Sequence, residues 1–210
     1  MRELILFGII AATYLMVIAK RVPALIRSFR YQSFFLFLIT LAAAIEEGHA
    51  DLYWVALLIL ILKVLFVPYA MYRIARRINV DENLGLLVNS QLSLLIALAL
   101  TYCSRIFSRT LGFHQDFRAV AITVAFAVVF IGAFLMVSRM KAFTQVTGLL
   151  VMENGIFLFG SFLSGGMPFL VEIAISLDVL ISVIIMGLFV YRINKVFTHI
   201  DVNKLSRLRG

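Results

Sequence analysis

The sequence predicts an all-α integral membrane protein, a bundle of about seven transmembrane helices. Three observations point there. Of the 210 residues 63% are hydrophobic and only 14% charged, with a mean hydropathy of +1.04, whereas a soluble domain is roughly 45–50% apolar and about 25% charged. The apolar residues fall in long uninterrupted runs, and the basic residues gather in every second connector between those runs. A chain this apolar cannot cover itself with polar groups in water, and lipid does not ask it to.

Crossing the hydrocarbon core takes about 20 mostly apolar residues in a helix, with a range of roughly 17 to 25. The runs that qualify are Leu4–Ala19, Tyr31–Ile45, Leu52–Ile74, Leu84–Cys103, Ala119–Val137, Phe143–Leu163 and Phe169–Ile193, the first two drawing on neighbours at their ends. Membrane β-barrels show segments of about ten alternating residues, and none occur here. The connectors "KRVPALIRSFR" (20–30), "NVDEN" (79–83) and "SGGMP" (164–168) carry charge, Gly or Pro. Asp81 or Asn83 is suited to cap the fourth helix, and Pro168 fits the first turn of the seventh. Pro68 falls inside the third run, where it kinks a membrane helix rather than ending it. The first run resembles a signal peptide, but Lys20 and Arg21 stand where a small-residue cleavage site belongs, so it reads as retained.

Seven spans put the termini on opposite sides. One side collects fourteen of the 19 Lys and Arg, from Lys20, Arg21, Arg27 and Arg30 through Arg73, Arg76, Arg77, Arg139 and Lys141 to the tail. The other has Arg2, Arg105, Arg109 and Arg118 together with Glu46, Glu47, His49 and Asp51. Basic loops stay in the cytoplasm. The expectation is an outside N-terminus, a cytoplasmic C-terminus and a bacterial or archaeal cytoplasmic (inner) membrane. The net charge of +8 and pI near 10 then follow from topology, with the lipid bilayer as partner and no nucleic acid.

Most site chemistry is excluded by what the chain lacks. Cys103 is the single cysteine, and His49, His114 and His199 lie far apart, so no metal or cofactor site is expected in this chain. No G-x-x-x-x-G-K, G-x-G-x-x-G or H-E-x-x-H occurs, and no internal repeat marks an inverted-repeat transporter.

What remains is a small set of charges inside the spans. Lys63 has eleven residues on either side within Leu52–Ile74, and Glu153, in "GLLVMENGIFLFG", has ten within Phe143–Leu163. Asp178 lies near mid-depth of the last span and Glu172 about one turn into it. Each charge at the bilayer centre costs about 2.5–3.5 kcal/mol on insertion scales, so these side chains should face the bundle interior and share partners. Out of water, carboxyl and amine groups both lose their preference for the charged form, so a mid-membrane Glu and Lys can exchange a proton at small cost. That is the working part of a proton relay, with Asn154, Ser90 and Gln145 among the polar residues able to support it. Gly148, Gly155 and Gly160 would let a neighbouring helix or a file of water approach the backbone beside Glu153. The plain alternative is that Lys63 and the acids are interhelical ion pairs that fix packing. Glu172 and Asp178 are six residues apart, about 240° around a helix, so they do not share one partner. The Glu46, Glu47, His49, Asp51 cluster reads as a solvated outer loop.

Lys63 in "ILKVLFVPY" and Glu153 in "GLLVMENGIFL", within seven spans, resemble the hydrogenase-4 component E family, the larger relative of the K subunit of respiratory complex I. The resemblance implies one polytopic domain over 1–210: a four-helix extension (1–103), a three-helix K-like portion (118–195) and a basic cytoplasmic tail (196–210). It also implies that Glu153 is the mid-membrane glutamate of the second K-like helix, with Asp178, or failing that Glu172, as the carboxylate of the third. The chain would then be a non-redox subunit of a complex-I-like energy-converting hydrogenase or formate hydrogenlyase, without a catalytic site of its own. Its partners would be antiporter-like and quinone-subunit-like membrane subunits and a peripheral hydrogenase arm carrying the nickel-iron site and iron–sulfur clusters. Two other classes fit the spans: a self-contained transporter or channel for a small ion or solute, and a structural membrane anchor.

Overall fold

The computed structural model describes residues 2–48, 50–77, 88–113, 116–139 and 142–163. The seventh predicted span, with Glu172 and Asp178, the "SGGMP" connector and the basic tail, lies outside the described residues, as do the proposed caps Asp81 and Asn83. Helix α1 is Arg2–Ile18 and α2 is Val22–Glu47. Helix α3, Ala50–Ile59, runs directly into a π-helical segment, Leu60–Phe66, and on into α4, Val67–Arg77. Then come α5, Ser90–Thr110, α6, Phe117–Val137, and α7, Ala142–Leu163. Among the described residues there is no β-strand, and five helical stretches are long and apolar enough to cross a membrane. The protein is a multi-pass helical membrane protein.

Local sequence accounts for the boundaries. Most of the connector 20–30 is helix: α2 opens with Pro23 in its first turn, where the missing N–H has no helical partner to lose. Helix α2 stops at Gly48, whose φ of 69° is left-handed and whose N–H closes on the Ala44 carbonyl. Helix α5 begins six residues later than the apolar run Leu84–Cys103 suggests, with Asn89 at its cap position, and extends through Arg105 to Thr110. Pro68 does not end its helix. A proline ring collides with the carbonyl four residues earlier, here Val64, and the turns just before it widen to the π form, Val67 donating to the Leu62 carbonyl five residues back.

The ends of the helices sort as the charges do. At one end Arg2 pairs with Glu46 and lies over the Phe117 ring, and Phe117 packs edge-on against Phe162. At the other end the buried Arg139 guanidinium donates to the carbonyls of Met16 (3.2 Å), Val17 (3.0 Å) and Ala19 (3.3 Å), closing the C-terminus of α1. Burial lowers Arg139 to about 10, still well above neutrality, so the clasp is cationic where the helix dipole favours a cation. Between those ends, the Tyr14 hydroxyl and Thr101 hydroxyl meet at 2.6 Å and tie α1 to α5.

Helices α6 and α7 form the tightest pair. A Cβ built on Gly132 would stand 2.6 Å from the Met152 nitrogen, one on Gly148 2.7 Å from the Met136 nitrogen, and one on Gly155 2.8 Å from the Ala125 carbonyl oxygen. Only residues without side chains permit that backbone-to-backbone approach. Gly148 and Gly155 thus take the role expected of them, against α6, while a Cβ on Gly160 would meet nothing within 4 Å among the described residues.

Candidate functional site: a buried lysine–glutamate pair

Helix α7 is oriented by its glycines. Gly148 and Gly155 are seven residues apart, so at about 100° per residue they share one face, and Glu153 lies roughly 140–160° away from it. Holding the glycine face against α6 therefore turns Glu153 and Asn154 toward α2 and the π segment. Lys63 comes from the opposite wall, inside the π segment, with Ile61 and Leu65 facing outward while Lys63 and Val64 are buried.

The two charges meet. Lys63 Nζ stands 2.7 Å from Glu153 Oε1, with the residues only 3% and 7% exposed. Lys63 also donates to Asn154 Oδ1 at 3.1 Å and lies 6.0 Å from the centre of the Phe157 ring. Lys63 is midway along Leu52–Arg73 and Glu153 midway along Phe143–Leu163, so the pair sits at mid-span on both helices.

Polar side chains continue from the pair across the bundle. Asn154 Nδ2 donates to Gln32 Oε1 (3.0 Å) and Ser33 Oγ (3.3 Å), Gln32 Nε2 donates to Thr13 Oγ1 (2.8 Å), and the Thr13 hydroxyl donates to the Ile9 carbonyl (2.8 Å). All four of these side chains are buried. The direction of every bond is fixed by its neighbour, because the Thr13 hydroxyl spends its proton on a backbone carbonyl and must accept from Gln32. Both carboxamides therefore turn their oxygen ends toward Lys63. The row replaces the water an ammonium loses on burial, with dipoles already aligned. It also ends on a backbone carbonyl of α1, and amides do not pass protons on, so it holds Lys63 without offering a conducting path.

The other expected residues lie elsewhere. Gln145, in the first turns of α7, donates to the Arg139 carbonyl at 3.0 Å, and Ser90 is the first residue of α5; neither hydrogen-bonds to the pair. Glu172 and Asp178 lie outside the described residues. The sequence reading passed over Thr13, Gln32 and Ser33. Their signal was present as polar residues inside the apolar stretches "IAATYLM" and "YQSFF". Among the described residues no three His, Cys, Asp or Glu side chains gather as metal ligands.

Fold and site together define a polytopic helical membrane protein built around a buried Lys–Glu pair backed by aligned amides. Sequence comparison gives the family. Hydrogenase-4 component E of Escherichia coli K12 is 33% identical over 152 residues, 71% of this chain and 70% of that protein, and its Shigella flexneri counterpart matches equally. A Mycobacterium tuberculosis protein called Rv0085, described as uncharacterized, is 32% identical over 204 residues, 96% of this chain and 93% of its own length. The chain belongs to the hydrogenase-4 component E family. No family model and no solved structure matches it.

Proposed function

We propose that this chain is a membrane subunit of a complex-I-like energy-converting hydrogenase of the formate hydrogenlyase kind, in which Lys63 and Glu153 form one link of a mid-membrane proton path. The observation that carries the reading is the 2.7 Å contact between two buried, oppositely charged groups at mid-span. A purely structural tie at that depth is poorly explained by stability, since buried ion pairs are often no better than apolar residues of the same size. Support also comes from the name of the Escherichia coli relative, hydrogenase-4 component E.

In this reading the amide row stabilises Lys63 in its charged form, and Glu153 is the group that trades protons with it and with the rest of the path. When a charge arrives nearby, the proton shifts from Lys63 Nζ to Glu153 Oε1, leaving two neutral groups; when the charge leaves, it returns. Because the amide row ends on backbone, protons enter and leave by the Glu153 side. Asp178, or failing that Glu172, is proposed as the next carboxylate. Antiporter-like and quinone-subunit-like subunits continue the path, and a peripheral arm supplies the nickel-iron site and iron–sulfur clusters. The N-terminus is outside and the C-terminus in the cytoplasm.

The test uses inverted vesicles carrying the whole complex with Glu153→Gln in this subunit. The amide keeps the shape and an acceptor for Lys63 but cannot take the proton. Hydrogenase activity of the arm should persist while proton movement coupled to it is lost. Full coupled proton movement with Glu153→Gln, in a complex that still co-purifies with its partners, sinks the proposal.

A further inference from the structure

On the outer side of the helix that carries Lys63, a cleft of about 840 Å³ opens between the first half of α2 and the π segment with α4. Its apolar wall is Ile61, Leu65, Phe66 and Tyr69, all exposed, and its basic residues are Arg27 and Arg30. Neither arginine forms an ion pair among the described residues, and no carboxylate lines the cleft. Arg30 is two residues from Gln32, which is joined through Asn154 to the mid-span pair. Arg27 is five residues from Gln32, about 7.5 Å along α2, so both arginines lie between the level of the pair and the interface, and their long side chains extend to where lipid phosphates sit.

Two further groups mark where the interface lies. Arg73 Nη1 donates to the Tyr69 hydroxyl at 3.0 Å and Arg76 Nη2 to the Tyr72 hydroxyl at 2.6 Å, with Arg76 also over the Tyr72 ring. Tyrosines with their hydroxyls held by arginines belong at headgroup level, and both tyrosines line the mouth of this cleft. Tyr69 is six residues from Lys63, about 9 Å along the helix, so the cleft runs from that level up to the depth of the pair.

We propose that this cleft is a binding site for one anionic phospholipid. Arg27 and Arg30 hold the phosphate by charge-assisted hydrogen bonds, and an acyl chain lies along Ile61, Leu65 and Phe66. The chemistry asks for both parts: the unpaired cations require an anion, and the apolar wall requires a chain. A partner helix is less well matched, because tyrosine–arginine pairs at the mouth mark a lipid interface. The bound chain would rest on the outer face of the π segment whose inner face presents Lys63.

The purified full-length chain is titrated with phosphatidylglycerol or phosphatidylcholine in mixed micelles, and bound lipid is counted by native mass spectrometry. Phosphatidylglycerol should bind preferentially, and Arg27→Gln with Arg30→Gln should weaken it about 30-fold, a factor of about five per arginine. Arg105→Gln with Arg118→Gln removes two charges elsewhere and should change nothing. Leu65→Trp keeps the charges but fills the cleft and should also weaken binding, which guards against misfolding of the arginine variant. Equal binding of the two lipids, an equal loss in the Arg105 and Arg118 control, or displacement by millimolar inorganic phosphate overturns the proposal. A photo-crosslinker at Leu65 in native membranes should attach lipid; attachment to a protein subunit would overturn it in favour of a partner surface.

Discussion

Replacing Lys63 by Met removes one half of a pair that is almost wholly out of water. Glu153 is then left as a buried carboxylate, and Asn154 Oδ1 loses its donor. Breaking such a pair from one side costs about 3–5 kcal/mol, whereas replacing both partners by apolar residues of similar volume is often neutral or stabilising. Lys63→Met and Glu153→Leu should each lose about that much, and the double variant less than either single one, a coupling of at least ~3 kcal/mol or more than a hundredfold in the folded ratio. The assay is equilibrium unfolding of the full chain in mixed micelles at pH 7, followed by circular dichroism as a denaturing detergent is added. Additivity of the two single variants within about 0.5 kcal/mol would refute the pairing.

Two further outcomes follow from packing. Gly155→Ala and Gly132→Ala drive a methyl into backbone of the facing helix and should each cost about 1–3 kcal/mol in the same unfolding assay, while Gly160→Ala meets nothing within 4 Å among the described residues and should cost far less than either. Arg139→Gln cannot span the carbonyls of Met16, Val17 and Ala19, so the chain should lose about 1.5–3 kcal/mol and the amides at the end of α1 should exchange hydrogen faster, with those of α5 unchanged.

Much of the architecture was legible because hydrocarbon imposes one simple demand, a long apolar run, and α6 and α7 came out within two residues of the predicted ends. The pair was legible for the complementary reason: at mid-span an ionisable group without a partner is expensive, so Lys63 and Glu153 announced each other. Hydropathy did not reveal what solvates them. Gln32 and Ser33 stand at the start of the predicted span Tyr31–Ile45, next to a stretch whose Pro23 and four basic residues read as a connector, so they looked like its polar end, although α2 starts at Val22 and carries them well inside it. Thr13 reads as tolerable in lipid because a threonine hydroxyl can bond back into its own helix, as it does to Ile9. The π segment is out of reach of a periodicity argument, since seven residues of wider turn look no different from α-helix in composition; only Pro68 pointed to a disturbance there.

The two halves of the pair are held differently, and this bears on how it would work. Glu153 projects from a helix whose opposite face is in close backbone contact with α6, so its Cα cannot shift without opening that interface. Lys63 sits on a four-carbon stem in a segment that has already surrendered regular α-helical bonding before Pro68. In the proposed proton step the carboxyl would be the fixed station, and the lysine, on its flexible stem, the group that approaches or withdraws. The amide row limits that movement: any withdrawal of Nζ must break its bond to Asn154, whose own orientation is fixed by Gln32 and Ser33. An ammonium gains from those aligned dipoles and a neutral amine gains much less, so in the proposed step loss of the proton to Glu153 would also loosen Lys63. In the proposed relay, charge state and position would thereby be tied through one asparagine, so that a neighbouring charge would draw a movement as well as a proton from the group at mid-span.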